Sequence, residues 1–367
     1  MKSPKIRFKN AQGADFPDWS QDSLGSLCQM YQPATLSKQS LDESGPYAVY
    51  GANGIIGKHS QFNHAEAEVV VSCRGNCGSV QMTKPCSWIN GNAMVVHPKD
   101  EKLLEKKFLN YLLSGQNFKS LTTGGAQPQI TRGQLSNLSV FFPSCQEQQK
   151  IASFFSTLDQ KIELNERKLE VLEKLKKGLM QKFFKQELRF KSPENRDYPE
   201  WEVQKLEKLC STFKSGSSIT QKSIFEAGAY PVYGGNGLRG YTDTYTHDGE
   251  YALIGRQGAL CGNLKYVKGK TYISEHAIAV QANSENSTQW LYYRLKEMNL
   301  NKLSESSAQP GLSAKKLKEI LINTPCLEEQ IRIANFLACF DEQIKLCTNK
   351  LFMLQQLKRS FLRQMFV

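Results

Sequence analysis

No stretch of this sequence approaches the roughly 18 consecutive apolar residues that a membrane-spanning helix needs, and the first nine residues, MKSPKIRFK, hold no apolar core of the secretory-signal kind. A cytoplasmic chain without a membrane partner is expected. The ten cysteines include no C-x-x-C pair, and Cys73 and Cys77 have no third ligand beside them. The five histidines never fall at H-x-x-x-H spacing, so reduced thiols and no metal site are expected. A phosphate-binding G-x-x-x-x-G-K-[ST] loop is missing, as is any Asn-Pro-Pro-Tyr-like run of the kind that grips a flipped base. Acidic residues are comparatively scarce: 35 Asp and Glu face 47 Lys and Arg, a net charge of +12 at pH 7. That excess suits a polyanionic partner, with duplex DNA ahead of an anionic membrane. At 367 residues and 40% hydrophobic content the chain has enough apolar material for two domains.

The sequence is one unit written twice. Arg7-Phe8-Lys9 recurs as Arg189-Phe190-Lys191, and Asp15-Phe16-Pro17-Asp18-Trp19 as Asp197-Tyr198-Pro199-Glu200-Trp201, each 182 residues on. Tyr50-Gly51-Ala52-Asn53-Gly54 answers Tyr233-Gly234-Gly235-Asn236-Gly237, and Ala126-Gln127-Pro128 answers Ala308-Gln309-Pro310. Each copy has a globular part rich in Gly, Tyr, Val and Ser. Short apolar runs at Glu68 to Val71 and Tyr251 to Ile254 predict strands, and an amphipathic helix is expected near Leu103 to Leu113 and Gln289 to Glu297. Gln146 to Phe184 and Glu328 to Phe366 contain no proline and a single glycine, Gly178, so two long helices are predicted.

Their apolar residues keep a heptad seam. In the first helix it runs through Ile151, Phe155, Leu158, Ile162, Leu169, Leu172, Leu179 and Phe183, interrupted by Asn165 and Lys176. The second helix repeats it as Ile333, Leu337, Phe340, Ile344, Cys347, Leu351, Leu354, Phe361 and Met365, interrupted by Lys358. Helix one ends where the second globular part begins, and that part leads into helix two, so the pair is expected to be antiparallel. The expected fold is α+β: two mixed α/β recognition domains related by pseudo-twofold symmetry and joined by an antiparallel coiled coil. It divides the chain into an N-terminal segment (1–18), a first reader (19–143), a central helical spacer (144–188), a linker with a second reader (189–325) and a C-terminal helical spacer (326–367). Arg7-Phe8-Lys9 duplicates the linker at Arg189, which predicts that helix two ends beside the start of the chain.

Several polar residues are candidates for touching nucleic acid. Asn53, Lys58 and His59 in copy one, and Asn236 and Arg239 in copy two, flank the glycine turns, where they would meet phosphate or a guanine edge or simply face solvent. Arg74, with Asn76, and Arg256, with Gln257, follow the apolar runs and would reach a phosphate backbone or pair with a carboxylate of their own domain. Gln127 and Gln309, with Gln129 beside the first, suit bidentate reading of adenine or closure of their own loop. Gly235-Asn236-Gly237-Leu238-Arg239-Gly240 matches G-x-G-x-x-G, but a strand-like run follows where a dinucleotide site needs a helix, so a structural turn is expected. The four tryptophans are expected in the framework, and Glu105 on a solvated helix face. Thr83 to Trp88 has no sequence echo in copy two.

The ordered set of Trp19 and Trp201 entries, the Gln-Pro loops, Pro143 followed by Glu147-Gln148-Gln149-Lys150-Ile151-Ala152, and its echo at Pro325 and Glu329-Gln330-Ile331-Arg332-Ile333-Ala334 resembles the specificity subunits of type I restriction-modification systems. The resemblance implies a non-catalytic DNA-binding subunit whose two target-recognition domains read a bipartite, asymmetric target. It also implies helices that dock two adenine-methyltransferase (modification) subunits, with restriction subunits joining them. No cofactor is implied in this chain; S-adenosylmethionine, and ATP with Mg, are expected on partner subunits. The competing hypothesis is a two-domain coiled-coil adaptor without DNA specificity.

Overall fold

The computed structural model describes residues 4–122, 128–258, 260–303 and 311–366. In chain order the elements are β1 (Ser20–Ser23), α1 (Leu24–Leu27), β2 (Cys28–Tyr31), β3 (Tyr47–Gly51), β4 (Gly54–His59), β5 (Val69–Ser72), β6 (Val80–Met82), β7 (Trp88–Ile89), β8 (Ala93–Pro98), α2 (Lys106–Ser114), α3 (Arg132–Ser136), β9 (Ser139–Phe142) and the long α4 (Cys145–Phe184). The second copy follows with β10 (Glu202–Lys205), β11 (Cys210–Ser215), β12 (Tyr230–Gly234), β13 (Gly237–Thr242), β14 (Glu250–Gly255), β15 (Leu264–Lys268), β16 (Tyr272–Ile273), β17 (Ala277–Ala282), α5 (Thr288–Glu297), α6 (Ala314–Lys318), β18 (Leu321–Thr324) and α7 (Leu327–Met365). Two compact units result: Met1–Glu166 with Asn349–Val367, and Arg167–Thr348. Each long helix thus gives one half to each unit.

The units share one topology. Unit 1 has sheets ordered β2-β8-β5-β6, β4-β3-β7 and β1-β9; unit 2 has β11-β17-β14-β15, β13-β12-β16 and β10-β18. Most pairings are antiparallel, but β3 runs parallel to β7, and β12 to β16. That last correspondence corrects the sequence comparison. Ser87 and Trp88 do have a counterpart: His64 N donates to Ser87 O (3.1 Å) as His247 N donates to Thr271 O (3.0 Å). The matching segments read Ser87-Trp88-Ile89 and Thr271-Tyr272-Ile273, with Ile89 and Ile273 buried in both, and they lie 184 residues apart where the hairpin tips lie 183 apart, so a comparison at fixed spacing passed over them.

Burial explains the framework residues. In unit 1, Trp19 packs edge-on to Phe108 of α2 (6.2 Å between ring centroids), and Phe366, just past α7, packs against Phe108 and Phe155. In unit 2, Trp201 meets Trp290 of α5 (6.3 Å), which also meets Phe184 (6.2 Å). All ten cysteines are free thiols, and burial pushes Cys28 and Cys210 up to about 12, which keeps them from acting as thiolate nucleophiles.

The Glu-Gln pair at the start of each long helix holds its unit together. Glu147, fully buried, receives Arg7 Nε (3.1 Å) and Nη2 (2.7 Å), and Glu329 receives Arg189 in the same way (3.2 and 3.0 Å). Gln148 accepts from the Glu105 N–H (2.8 Å) and donates to the carbonyls of Leu103 and Pro143, both at 2.9 Å. Gln330 accepts from Ser287 N–H (2.8 Å) and donates to Pro325 O (2.9 Å). Glu105 is therefore not on a solvated face. It caps α2, accepting the Phe108 N–H at 2.5 Å, because the first turn of a helix leaves amide donors that a carboxylate satisfies.

Every seam position assigned from the sequence is buried or half-buried. Within unit 1, Asp159 of α4 pairs with Lys358 of α7 at 2.5 Å and Phe154 meets Phe361 at 5.0 Å. Within unit 2, Lys176 pairs with Asp341 and Phe183 meets Phe336 at 5.6 Å. Rising numbers on one helix match falling numbers on the other, so the pair is antiparallel in each unit, as expected.

Candidate nucleic-acid interface

The predicted glycine turns are the tips of two hairpins. Ala52-Asn53 joins β3 to β4, and Gly235-Asn236 joins β12 to β13, with Gly54 at φ +113° and Gly237 at φ +101°, backbone that only glycine adopts freely. A strand follows Gly237, so the phosphate-cradling helix of a dinucleotide site does not form. Asn53, Lys58, Asn236 and Arg239 are exposed, and Arg239 reaches Gln221 Oε1 at 3.4 Å. His59 differs: it is half-buried and packs edge-on against Trp88 at 5.2 Å.

The arginine loops close against the segments that follow the Gln-Pro motifs. In unit 1, β5 is buried throughout, and Arg74 lies two residues past its end at Ser72. There Ile130 N donates to Cys73 O (3.0 Å) and Gly75 N to Pro128 O (3.3 Å), bringing exposed Arg74 opposite exposed Gln129, with exposed Asn76 in the same turn. In unit 2, Leu312 N donates to Arg256 O (3.0 Å), and Gln257 lies opposite Gly311. Buried Ile130 and Leu312 anchor these closures. Gln127 and Gln309 lie outside the described residues. The hairpin turn joins this cluster in unit 2: a side chain at Gly235 would sit 2.9 Å from His276 O, and the same carbonyl accepts Arg256 N–H at 3.0 Å.

Of the two roles open to the arginines, pairing with a carboxylate is not adopted among the described residues. Among the described residues neither Arg74 nor Arg256 forms an ion pair; Arg256 Nη1 donates only to Ser215 Oγ, at 3.3 Å. Two groups of residues escaped the sequence reading. Ile55, Ile56 and Leu238 stand exposed beside the hairpin tips, where strand alternation alone did not mark them. Leu164, Val171 and Leu175 on α4, and Leu346, Met353 and Leu357 on α7, are also exposed. The last two sets match position for position between copies, and that repetition was the available signal. No group of three or more His, Cys, Asp or Glu side chains capable of holding a metal ion occurs among the described residues.

A family model described as the type I restriction modification DNA specificity domain matches residues 17–174 and again 198–356. The chain is 45% identical over 132 residues to the specificity subunit of the type I restriction enzyme EcoprrI of Escherichia coli, a match covering 35% of this chain and 33% of that one. It is 26% identical to the type I restriction enzyme MjaVIII specificity subunit of Methanocaldococcus jannaschii, covering 92% of this chain and 90% of that one. Among solved structures, the S subunit of a type I restriction-modification system from M. genitalium superposes with a TM-score of 0.79 at 21% identity, covering 100% of this chain and 99% of that one, which shows the shared fold.

Proposed function

We propose a function for this chain from one established premise: it belongs to the type I restriction modification DNA specificity family. Its part in such a system is sequence specificity, not catalysis. In the proposed reading, each unit recognises one half of a bipartite, asymmetric duplex target through its hairpin tip and arginine loop. Modification subunits dock on the helices, restriction subunits join them in the cytoplasm, and S-adenosylmethionine and ATP with Mg bind those partners.

The observation that carries this reading is that one loop constellation occurs in both units with different side chains. Where the first hairpin offers Ile56 and Lys58, the second offers Arg239 and Tyr241; where the first arginine loop lies against Gln129, the second lies against Gly311. A shared framework with unlike tips suits two unlike half-sites. Phosphate contacts position such a protein, while arginine, amide and apolar groups discriminate bases. Docking of modification subunits is supported by the apolar surface left on the helices. Unit 1 exposes Leu164 with Met353 and Leu357, and unit 2 exposes the matching Leu346 with Val171 and Leu175. Leucine, valine and methionine in water gain from covering by an apolar partner surface.

Replacing residues 19–143 by the corresponding part of a relative, assembling the chain with its modification subunits and mapping methylated adenines tests the proposal. One half of the methylated sequence should change and the other stay. A change in both halves, or binding to duplex DNA that neither selects sequence nor weakens steeply with salt, would overturn it.

A further inference from the structure

The seam's two lysines remain unexplained by recognition or docking. A lysine at a core heptad position costs stability unless it finds a partner, and both do. In unit 2, Lys176 is buried and donates to Asp341, whose other oxygen accepts the Tyr293 hydroxyl of α5 at 2.6 Å. The ammonium also lies over the Tyr293 ring, 5.0 Å from its centroid. In unit 1, Lys358 pairs with Asp159 at 2.5 Å, Asp159 accepts the Tyr111 hydroxyl of α2 at 2.9 Å, and the ammonium lies 5.6 Å from the Tyr111 ring centroid. The six residues correspond pairwise at one spacing, 182.

We propose that Lys176, Asp341 and Tyr293 in unit 2, and Lys358, Asp159 and Tyr111 in unit 1, are positioning residues that key the helix register and latch each reader to the helix pair. Each aspartate is a junction of three elements. One oxygen takes the other helix's lysine and the second takes a tyrosine from the reader, so the reader's helix cannot slide or roll without breaking a charge-assisted bond. In unit 2 the lysine also rejects neighbouring registers, because a slide of one heptad either way would set Lys176 against Thr348 or Ala334. In unit 1 a slide one way sets Lys358 against Ala152, while a slide the other way meets Glu166, and there only the Tyr111 bond to Asp159 opposes it. Apolar seam positions discriminate less, because most heptad shifts exchange one apolar side chain for another. A single polar residue at a core position is an attested means of fixing register.

The inference rests on the proposed DNA reading only for its consequence: a reader that rocks on its helices offers base-contacting side chains in several poses and accepts wrong bases. The test uses the full chain with two variants, Tyr293→Phe alone and the triple change Lys176→Leu, Asp341→Ala, Tyr293→Phe. The triple variant replaces a polar junction by apolar packing and is expected to keep its melting temperature. Assembled with the modification subunits, both variants should lose about tenfold in base discrimination within the half-site that unit 2 reads, with the other half unchanged. Full discrimination in both halves, or equal loss in both alongside a lowered melting temperature, would overturn the latch. Hydrogen exchange on the DNA-free chain separates the two ideas. Amides of α5 should exchange faster in both variants while those of α2 do not, and unchanged α5 exchange rejects the latch. Faster α5 exchange, with a parent complex that methylates without sequence preference, would instead reject the DNA reading.

Discussion

Arg7 and its copy Arg189 do more than their place near a chain end and in a linker suggests. Each guanidinium spans a buried carboxylate and two carbonyls: Phe16 O (3.2 Å) and Pro17 O (2.6 Å) for Arg7, Tyr198 O (3.2 Å) and Pro199 O (2.6 Å) for Arg189. The hydrogen bond to Glu147 is the leading reason the Arg7 guanidinium holds its proton more tightly than usual. Removing Arg7 would leave an ionised carboxylate without a partner in a dry site. Arg7→Met should therefore cost about 3 kcal/mol of stability, and Arg7→Lys should recover little, since a lysine cannot present a planar fork to carboxylate and carbonyls together. Urea unfolding measures both. An unshifted midpoint for Arg7→Met would show that Glu147 is satisfied some other way.

Among the elements, α4 and α7 were legible to within a residue or two, because heptad periodicity is written locally and repeats for many turns. What the period did not reveal is where the lysines point. Burial, with the Asp341 hydrogen bond adding to it, holds the Tyr293 hydroxyl's proton beyond the ordinary phenol value of 10.0. A group raised in the folded state contributes its full stability below its unfolded value, and that contribution is lost as pH climbs through the folded one. Stability should therefore begin to fall above about pH 10. Tyr293→Phe removes the group and should flatten that alkaline slope, as read from melting temperatures on either side of that pH. An identical slope would mean that the folded chain does not hold the phenol's proton beyond its ordinary value.

For the molecule as a whole, the predicted meeting of chain start and helix end is present within unit 1. Ile6 N donates to Gln364 O at 3.1 Å, the same bond that Leu188 N makes to Lys182 O at 3.3 Å in unit 2. The short Lys185 to Glu187 link in one copy thus corresponds to the gap between termini in the other. A permutant opened between Lys185 and Leu188, with residues 1 and 367 joined by a short linker, should keep its helix content and melt within about 5 °C of the parent. Failure to fold would show that the Lys185 to Leu188 connection carries stability of its own.

The duplication, the buried strands β5 and β14, the long helices and the seam followed from the sequence by itself, because repeats and periodicities are properties of order along the chain. The tertiary structure alone decided that Arg74 meets Gln129, that Gln148 accepts the Glu105 N–H at the start of α2, that His59 leans on Trp88, and that each seam lysine finds an aspartate already holding a reader tyrosine. Those are meetings of residues about 29 to 199 positions apart, and such meetings depend on the path of the folded backbone, which no local pattern encodes.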